Sequence, residues 1–337
     1  MALRLRAAGL PVRRRAVAVP ALTALLAALL LPASGPARAA APTCAGQVAG
    51  NRGSGQDVNG DGFADLAIGA PGAVVNGSPG AGLVQVRYGI DSVNGDGQGL
   101  GATQMLRQGL PGVVETPEPG DGFGAVVRLG LVDNDTCADL VIGVPGEDLI
   151  GAPDAGVVHV IFGAPGGLGS GRVSLVLRAG VRGLGGVPTA GDRFGAAVAV
   201  TDFFGFSPAA TVPNSLAIGI PGRDVGAVAD AGAVDVLSFA AATGAPFDPR
   251  LVTQDSPGVG GAVEPGAGFG TAVAFGYAGG SQRWLLDLLA GAPGSHAGGG
   301  AVVVVSDRGA AQPYAGAEWT QDTPGVADTE EAAAPAR

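Results

Sequence analysis

Asp57-Val58-Asn59-Gly60-Asp61-Gly62-Phe63-Ala64-Asp65 runs directly into Leu66-Ala67-Ile68-Gly69-Ala70-Pro71-Gly72, so acidic and amide side chains at alternate positions feed an apolar segment that ends in a turn. Oxygen donors at positions one, three, five and nine, with a glycine at six, are what a hard cation such as calcium requires: converging oxygens and a residue that tolerates a sharp turn. A helix-loop-helix calcium loop opens with the same spacing, but its twelfth position should be a bidentate Glu and is Ile68 here. Short, glycine-bounded flanks replace the helices, so the spacing predicts a cation loop leading into a β-strand.

The apolar half of this stretch recurs. Asp65-Leu-Ala-Ile-Gly-Ala-Pro71 is echoed by Asp139-Leu-Val-Ile-Gly-Val-Pro145, Ser215-Leu-Ala-Ile-Gly-Ile-Pro221 and Asp287-Leu-Leu-Ala-Gly-Ala-Pro293, with the prolines 74, 76 and 72 residues apart. A fixed period of this size marks an array of supersecondary units that bury their faces against neighbours. Each Gly-x-Pro turn is followed by a Gly-bounded strand with apolar residues at period two, starting at Gly82, Gly156, Gly232 and Gly300. A second signature then appears in Phe123-Gly124, Phe194-Gly195 and Phe269-Gly270, each leading into Val- and Ala-rich residues. About four short strands per unit is the content of one propeller blade.

Phe-Gly followed some 20 residues later by Gly-x-Pro, with an Asp-x-Asn-x-Asp-Gly-x-x-Asp loop in the best copy, resembles the FG-GAP repeat of integrin alpha-subunit propellers and of bacterial secreted proteins that carry it. The resemblance covers roughly residues 50–326. It implies an all-β fold, a β-propeller of FG-GAP repeats with calcium in hairpin loops of certain blades, and a role in adhesion or ligand recognition; similar propellers also accompany some hydrolases. Integrin propellers have seven blades, whereas this chain has four Gly-x-Pro copies and three Phe-Gly copies. Two readings stand: a four-bladed ring closing with one strand missing, or a partial propeller that associates through an open edge. The second is preferred, because unpaired strand edges invite pairing.

In loop one the expected calcium ligands are the side chains of Asp57, Asn59, Asp61 and Asp65 and the carbonyl of Phe63; the bland alternative is a plain Asn-Gly or Asp-Gly turn. Aligning Asp139 on Asp65 places Asp133 and Asp135 on Asn59 and Asp61, giving weaker metal candidates Asp133, Asp135 and Asp139. Leu131 stands where Asp57 was and Thr136 where Gly62 was, so a residual acidic turn is the preferred reading there. The equivalents in units three and four, Ser207, Ala209, Thr211, Ser215 and Gly279, Ser281, Arg283, Asp287, have lost the set. The segment Asp91–Asp96 follows a strand and reads as a loop.

The first 39 residues hold six arginines and no acid around an apolar run that ends before Ala37-Arg38-Ala39, the pattern of a secretory signal peptide, with Arg14-Arg15 leaving twin-arginine export open. The expected organisation is a signal at 1–39, an N-terminal segment at 40–56, propeller repeats at 57–326 and a disordered tail at 327–337, secreted and with no membrane span after cleavage. The remaining chain carries 13 basic and 29 acidic residues, about −16, which argues against nucleic acid or anionic lipid as partner. In an oxidising compartment Cys44 and Cys137 are a candidate disulfide; enclosing about 93 residues, it would stabilise by about 4 kcal/mol. Two free thiols are the alternative.

Catalysis needs a nucleophile with its base, a metal-held water or a paired acid and base, and no motif for any of these occurs. His159, between valines, reads as a satisfied sheet-face histidine, and His296 lies in a Gly-rich loop. Tyr88, Trp284, Tyr314 and Trp319 read as packing residues before they read as a sugar site. The expected function is therefore a calcium-binding, non-catalytic module for an extracellular protein or glycan ligand, against a hydrolase or its accessory domain as the alternative.

Overall fold

The computed structural model describes residues 55–91, 99–133, 135–201, 214–240, 244–276, 287–307 and 314–326. All belong to a compact unit spanning Pro42–Arg337. The expected signal at 1–39, Cys44, the tail at 327–337, most of the Asp91–Asp96 segment, Trp284 and the loop equivalents at 207–211 and 279–283 lie outside the described residues.

The described residues form four antiparallel sheets, each pairing strands in chain order. Sheet 1 contains β1 (Leu66–Ala70), β2 (Leu83–Ile90) and β3 (Gly99–Leu106); sheet 2 contains β4 (Val126–Gly130), β5 (Asp139–Val144), β6 (Val157–Ile161) and β7 (Leu175–Leu177). Sheet 3 contains β8 (Ala197–Val200), β9 (Ser215–Ile220), β10 (Ala233–Phe239) and β11 (Pro246–Val252), and sheet 4 contains β12 (Ala272–Gly276), β13 (Asp287–Ala292), β14 (Ala301–Asp307) and β15 (Tyr314–Trp319). The fold is all-β and propeller-like. The runs before each Gly-x-Pro turn, β1, β5, β9 and β13, are equivalent strands, second in sheets 2 to 4, and their register repeats: Leu66 faces Arg87, Leu140 faces Ile161, Leu216 faces Leu237 and Leu288 faces Val305. Sheet 1 lacks a first strand among the described residues, in keeping with the absent Phe-Gly before it.

Alternation along β5 shows how the sheets stack. Leu140, Ile142 and Val144 join the core shared with Val84, Val86 and Leu106 of sheet 1, while Val141 joins the core shared with Leu216 and Ile218 of sheet 3. A strand covered on both faces is apolar throughout, which is why β5 is buried along its whole length. Phe123, Phe194 and Phe269 are each fully buried, one in each of the three inter-sheet cores. Truncating one to alanine would cost about 3–5 kcal/mol.

The glycines of the two signatures meet each other. A Cβ on Gly69, Gly143 or Gly219 would collide with the backbone carbonyl of Gly124, Gly195 or Gly270 on the following sheet. The Phe-Gly and Gly-x-Pro elements are thus the two halves of one close backbone contact, repeated at every junction. Gly291 of sheet 4 touches only Ala272 of its own sheet. At the other extreme, Leu66 and Ile68 of β1 are 46% and 44% exposed, where the equivalent Leu140 and Ile142 are fully buried. The hairpin loops between first and second strands lie at one end of the sheets, and the Gly-x-Pro turns and Phe-Gly loops lie at the other. No helix among the described residues is long and apolar enough to cross a membrane.

Candidate metal centre in two hairpin loops

Loop 57–65 is built on carboxylates that accept from its own backbone. Asp57, fully buried, accepts the N–H groups of Gly60 (2.7 Å) and Asp61 (3.3 Å) on Oδ1 and that of Gly62 (2.8 Å) on Oδ2. Gly60 and Gly62 adopt φ of 74° and 94°, which is why glycine fills both positions. Asn59 Oδ1 accepts from Asp61 N–H (3.1 Å), Asp61 Oδ1 accepts from Phe63 N–H (2.9 Å), and Asn59 Nδ2 donates to Asp61 Oδ2 (2.8 Å). These are the Asx turns that such a sequence favours.

Asp65 works differently from its neighbours. Its Oδ2 accepts the N–H of Val58 and its Oδ1 that of Gly89 at the end of β2, both at 2.7 Å. It therefore ties the start of the loop to a strand 24 residues onward. Burial raises the Asp65 carboxyl to about 6 against the pull of those two N–H groups, with Asp57 and Asp61 adding repulsion. Burial likewise raises Asp57 above its usual range.

Three carboxylates and an amide within nine residues are donors of the type a hard cation takes, but among the described residues no three His, Cys, Asp or Glu side chains are gathered as a metal site would hold them. Each carboxylate oxygen engaged by one N–H retains further acceptor capacity, so the anchoring role of Asp65 does not exclude ligation. Asn59 and Asp61 also border an open cleft of about 690 Å³, lined further by Tyr88, Gln104 and the 165–170 turn. There the Tyr88 hydroxyl donates to Gln104 and accepts the Leu168 N–H.

Loop two repeats the anchor and the two Asx turns, with Asp133 Oδ1 accepting the Asp135 N–H at 3.1 Å, and changes the charges around them. Asp139, fully buried, accepts N–H groups of Val132 (2.8 Å) and Asp133 (3.1 Å) on Oδ2 and that of Gly163 (2.9 Å) on Oδ1. Burial holds its carboxyl well above the usual range, with Asp133 adding repulsion. Asp133 forms an ion pair with Arg172 at 2.5 Å, and the guanidinium lies over the Phe162 ring, 3.4 Å from its centroid. Asp135 caps the turn by accepting the Cys137 N–H. Leu131, in the place of Asp57, is buried. Cys137 is buried too, and the described residues contain no free cysteine.

His159 departs from expectation. It lies on strand β6 as predicted and is fully buried there, but neither ring nitrogen has a hydrogen-bond partner; the ring packs edge-on against Phe123 at 5.4 Å, and burial lowers its pKa to about 4. It is an apolar-packed imidazole, not a satisfied one. His296 lies on a single 3-10 turn, with Nε2 3.2 Å from Glu318. Trp319 on β15 is exposed.

Sequence reasoning passed over a second set of polar groups at the turn end of the sheets. Asp121 and Glu147 are buried, Arg223 pairs with Asp192 at 3.1 Å, and Asp235 is fully buried on β10. Burial, followed by repulsion from Asp121, pushes Glu147 up to about 8. The available signal was the residue after each Gly-x-Pro-Gly, which is Ala73, Glu147, Arg223 or Ser295 where an array of identical blades would keep one type.

The FG-GAP repeat family matches residues 50–86 and 123–161, which takes in loop 57–65 with β1 and the start of β2, and Phe123 through β6. No curated protein matches the chain.

Proposed function

The chain is an FG-GAP repeat protein with a β-propeller-like fold, and from that premise we propose that it is a secreted, calcium-stabilised module, similar to integrin alpha-subunit propellers, that binds an extracellular protein or glycan and catalyses nothing. Loop 57–65 carries this reading: Asp57, Asn59 and Asp61 bond within one turn that Asp65 fastens to β2, beside an open cleft bearing Tyr88 and Gln104. Calcium held there would offset the repulsion among the carboxylates and stiffen the cleft wall. Roughly micromolar to millimolar affinity suffices outside the cell. The signal at 1–39 supports export, and the buried Cys137 supports the Cys44–Cys137 disulfide. Exposed Leu66 and Ile68 at the edge of sheet 1 support self-association, which sedimentation would read.

The melting temperature of the secreted chain, measured in millimolar calcium and in chelator, tests the metal's role. A higher value in calcium is expected, with the gain reduced by Asp61→Ala. An unchanged melting temperature, or a gain that survives Asp61→Ala in full, overturns it. Capture from cell-wall and culture extracts with and without calcium tests the ligand, and turnover in a hydrolase panel abolished by one cleft mutation would overturn the non-catalytic reading.

A further inference from the structure

Three equivalent turn-to-loop contacts lie at the turn end of the sheets, away from the hairpin loops. Each is fixed by the same backbone bond: Gly146 N–H donates to Asp121 O, Gly222 N–H to Asp192 O and Gly294 N–H to Ala267 O, at 3.0–3.2 Å. The residues beside those bonds therefore occupy equivalent positions. In sheet 3 they are Asp192 and Arg223, an ion pair 3.1 Å apart, with Asp235 a second buried carboxylate within the field of the guanidinium. In sheet 4 they are Ala267 and Ser295, which carry no charge. In sheet 2 they are Asp121 and Glu147, 1% and 4% exposed, two acids where the next sheet places an acid and an arginine.

Behind this pair sits Gln108, with no exposed surface. Its Nε2 donates to Glu147 Oε2 at 2.5 Å, and its Oε1 has no hydrogen-bond partner. A buried acceptor without a donor is costly, by about 1–3 kcal/mol, and here its amide is bonded to Glu147, which feels repulsion from Asp121, whose own Oδ2 accepts the Glu118 N–H. No described ion pair involves Asp121 or Glu147. A cleft of about 350 Å³, lined by Asp121, Gly146, Asp154 and Arg193 among others, leads from Asp121 to solvent.

We propose that this pocket takes from solution the positive charge that sheet 3 builds in: a hard divalent cation, calcium or magnesium, bound by the carboxylates of Asp121 and Glu147 and the amide oxygen of Gln108. Oxygen donors of mixed charge are the ligands such ions prefer, and the orphaned amide oxygen gains the partner it lacks. The site is independent of loop 57–65 and lies at the opposite end of the sheets. Its occupancy would hold the Gly-x-Pro turn of sheet 2 against the Phe-Gly loop that packs the junction with sheet 1.

Calorimetric titration of the whole secreted chain with calcium and with magnesium tests this, using the parent and Glu147→Gln, each with and without Asp61→Ala. Glu147→Gln keeps an acceptor for Gln108 Nε2. It is expected to weaken one binding event by about tenfold or more in both backgrounds, whereas Asp61→Ala leaves that event in place. Identical isotherms for parent and Glu147→Gln overturn the proposal whatever Asp61→Ala does. Glu147→Arg, copying sheet 3, is expected to remove the same event; a folded Glu147→Arg protein that binds the parent's full complement of metal also overturns it.

Discussion

In sheet 1 the Asp65 carboxylate receives N–H groups from Val58 and Gly89; in sheet 2 that of Asp139 receives them from Val132, Asp133 and Gly163. The loops share this anchor through the equivalent pairs Val58/Val132 and Gly89/Gly163, and they share two Asx turns, in which residue 59 or 133 accepts the N–H of 61 or 135 and residue 61 or 135 accepts that of 63 or 137; they diverge in the groups around these. Loop one adds Asp57 and two positive-φ glycines, concentrating negative charge on a tight turn. Loop two buries Leu131 instead and brings in Arg172 from the connection between β6 and β7 to meet Asp133. The anchor is thus a feature of the hairpin, while the charged groups around it vary from repeat to repeat. The turn end of the sheets varies likewise, with Arg223 in one repeat and Glu147 in the preceding one.

If the anchor is structural in both loops, removing it should be the most damaging change. Asp139→Ala strands three backbone N–H groups in a buried site and is expected to cost on the order of 4 kcal/mol in denaturant unfolding. Asp65→Ala strands two, so in chelator it should cost less, on the order of 2–3 kcal/mol. Asp139→Asn, which keeps one acceptor oxygen, should fall between Asp139→Ala and the parent. An Asp139→Ala protein as stable as the parent would break the equivalence of the two loops.

The strands and the repeat were legible because burial on both faces forces apolar runs, and the close glycine contacts force Phe-Gly and Gly-x-Pro to recur. The oxygen set of loop 57–65 was equally plain. What Asp65 and Asp139 do was not, because their partners Gly89 and Gly163 each lie 24 residues onward and a backbone N–H leaves no mark in the sequence. Arg172 was invisible for the same reason: it reaches Asp133 across 39 residues from a connection with no periodic pattern. His159 was placed correctly and its bonding misjudged, since a strand pattern reports which face a side chain takes but not whether that face holds a partner.

Equivalent positions on the third strands sharpen the comparison. Gln85 of β2, His159 of β6, Asp235 of β10 and Val303 of β14 occupy the same place, and His159 is the one base among them. Its pKa falls from 6.5 to about 4 on folding. Between those values the unfolded chain binds a proton that the native state refuses, so this contribution to stability is complete above pH 6.5 and is lost as pH falls towards 4. The whole loss is about 3 kcal/mol. His159→Val removes that dependence at the expense of a small, pH-independent cavity of about 1–2 kcal/mol. The stability difference between variant and parent should therefore move in favour of the variant as pH drops from 6.5 to 4. A difference that stays constant over this range would mean the imidazole is reached by water or a donor.

The smallest expected effect is the most discriminating. Arg172 is well exposed along its side chain, so its pair with Asp133 and its contact with Phe162 together should be worth about 1 kcal/mol in chelator. Arg172→Ala is expected to lose about that much and to leave Asp133, Asp135 and Asp139 without the guanidinium. In an Asp61→Ala background, which weakens loop one, calcium should then raise the melting temperature of the Arg172→Ala protein by more than it raises that of Asp61→Ala alone. That outcome would make loop two a cation site whose cation is covalently part of the chain. Equal calcium responses would show instead that the missing Asp57 equivalent and the Thr136 turn, rather than the arginine, keep metal out, and the difference between the loops would lie in ligands and not in charge.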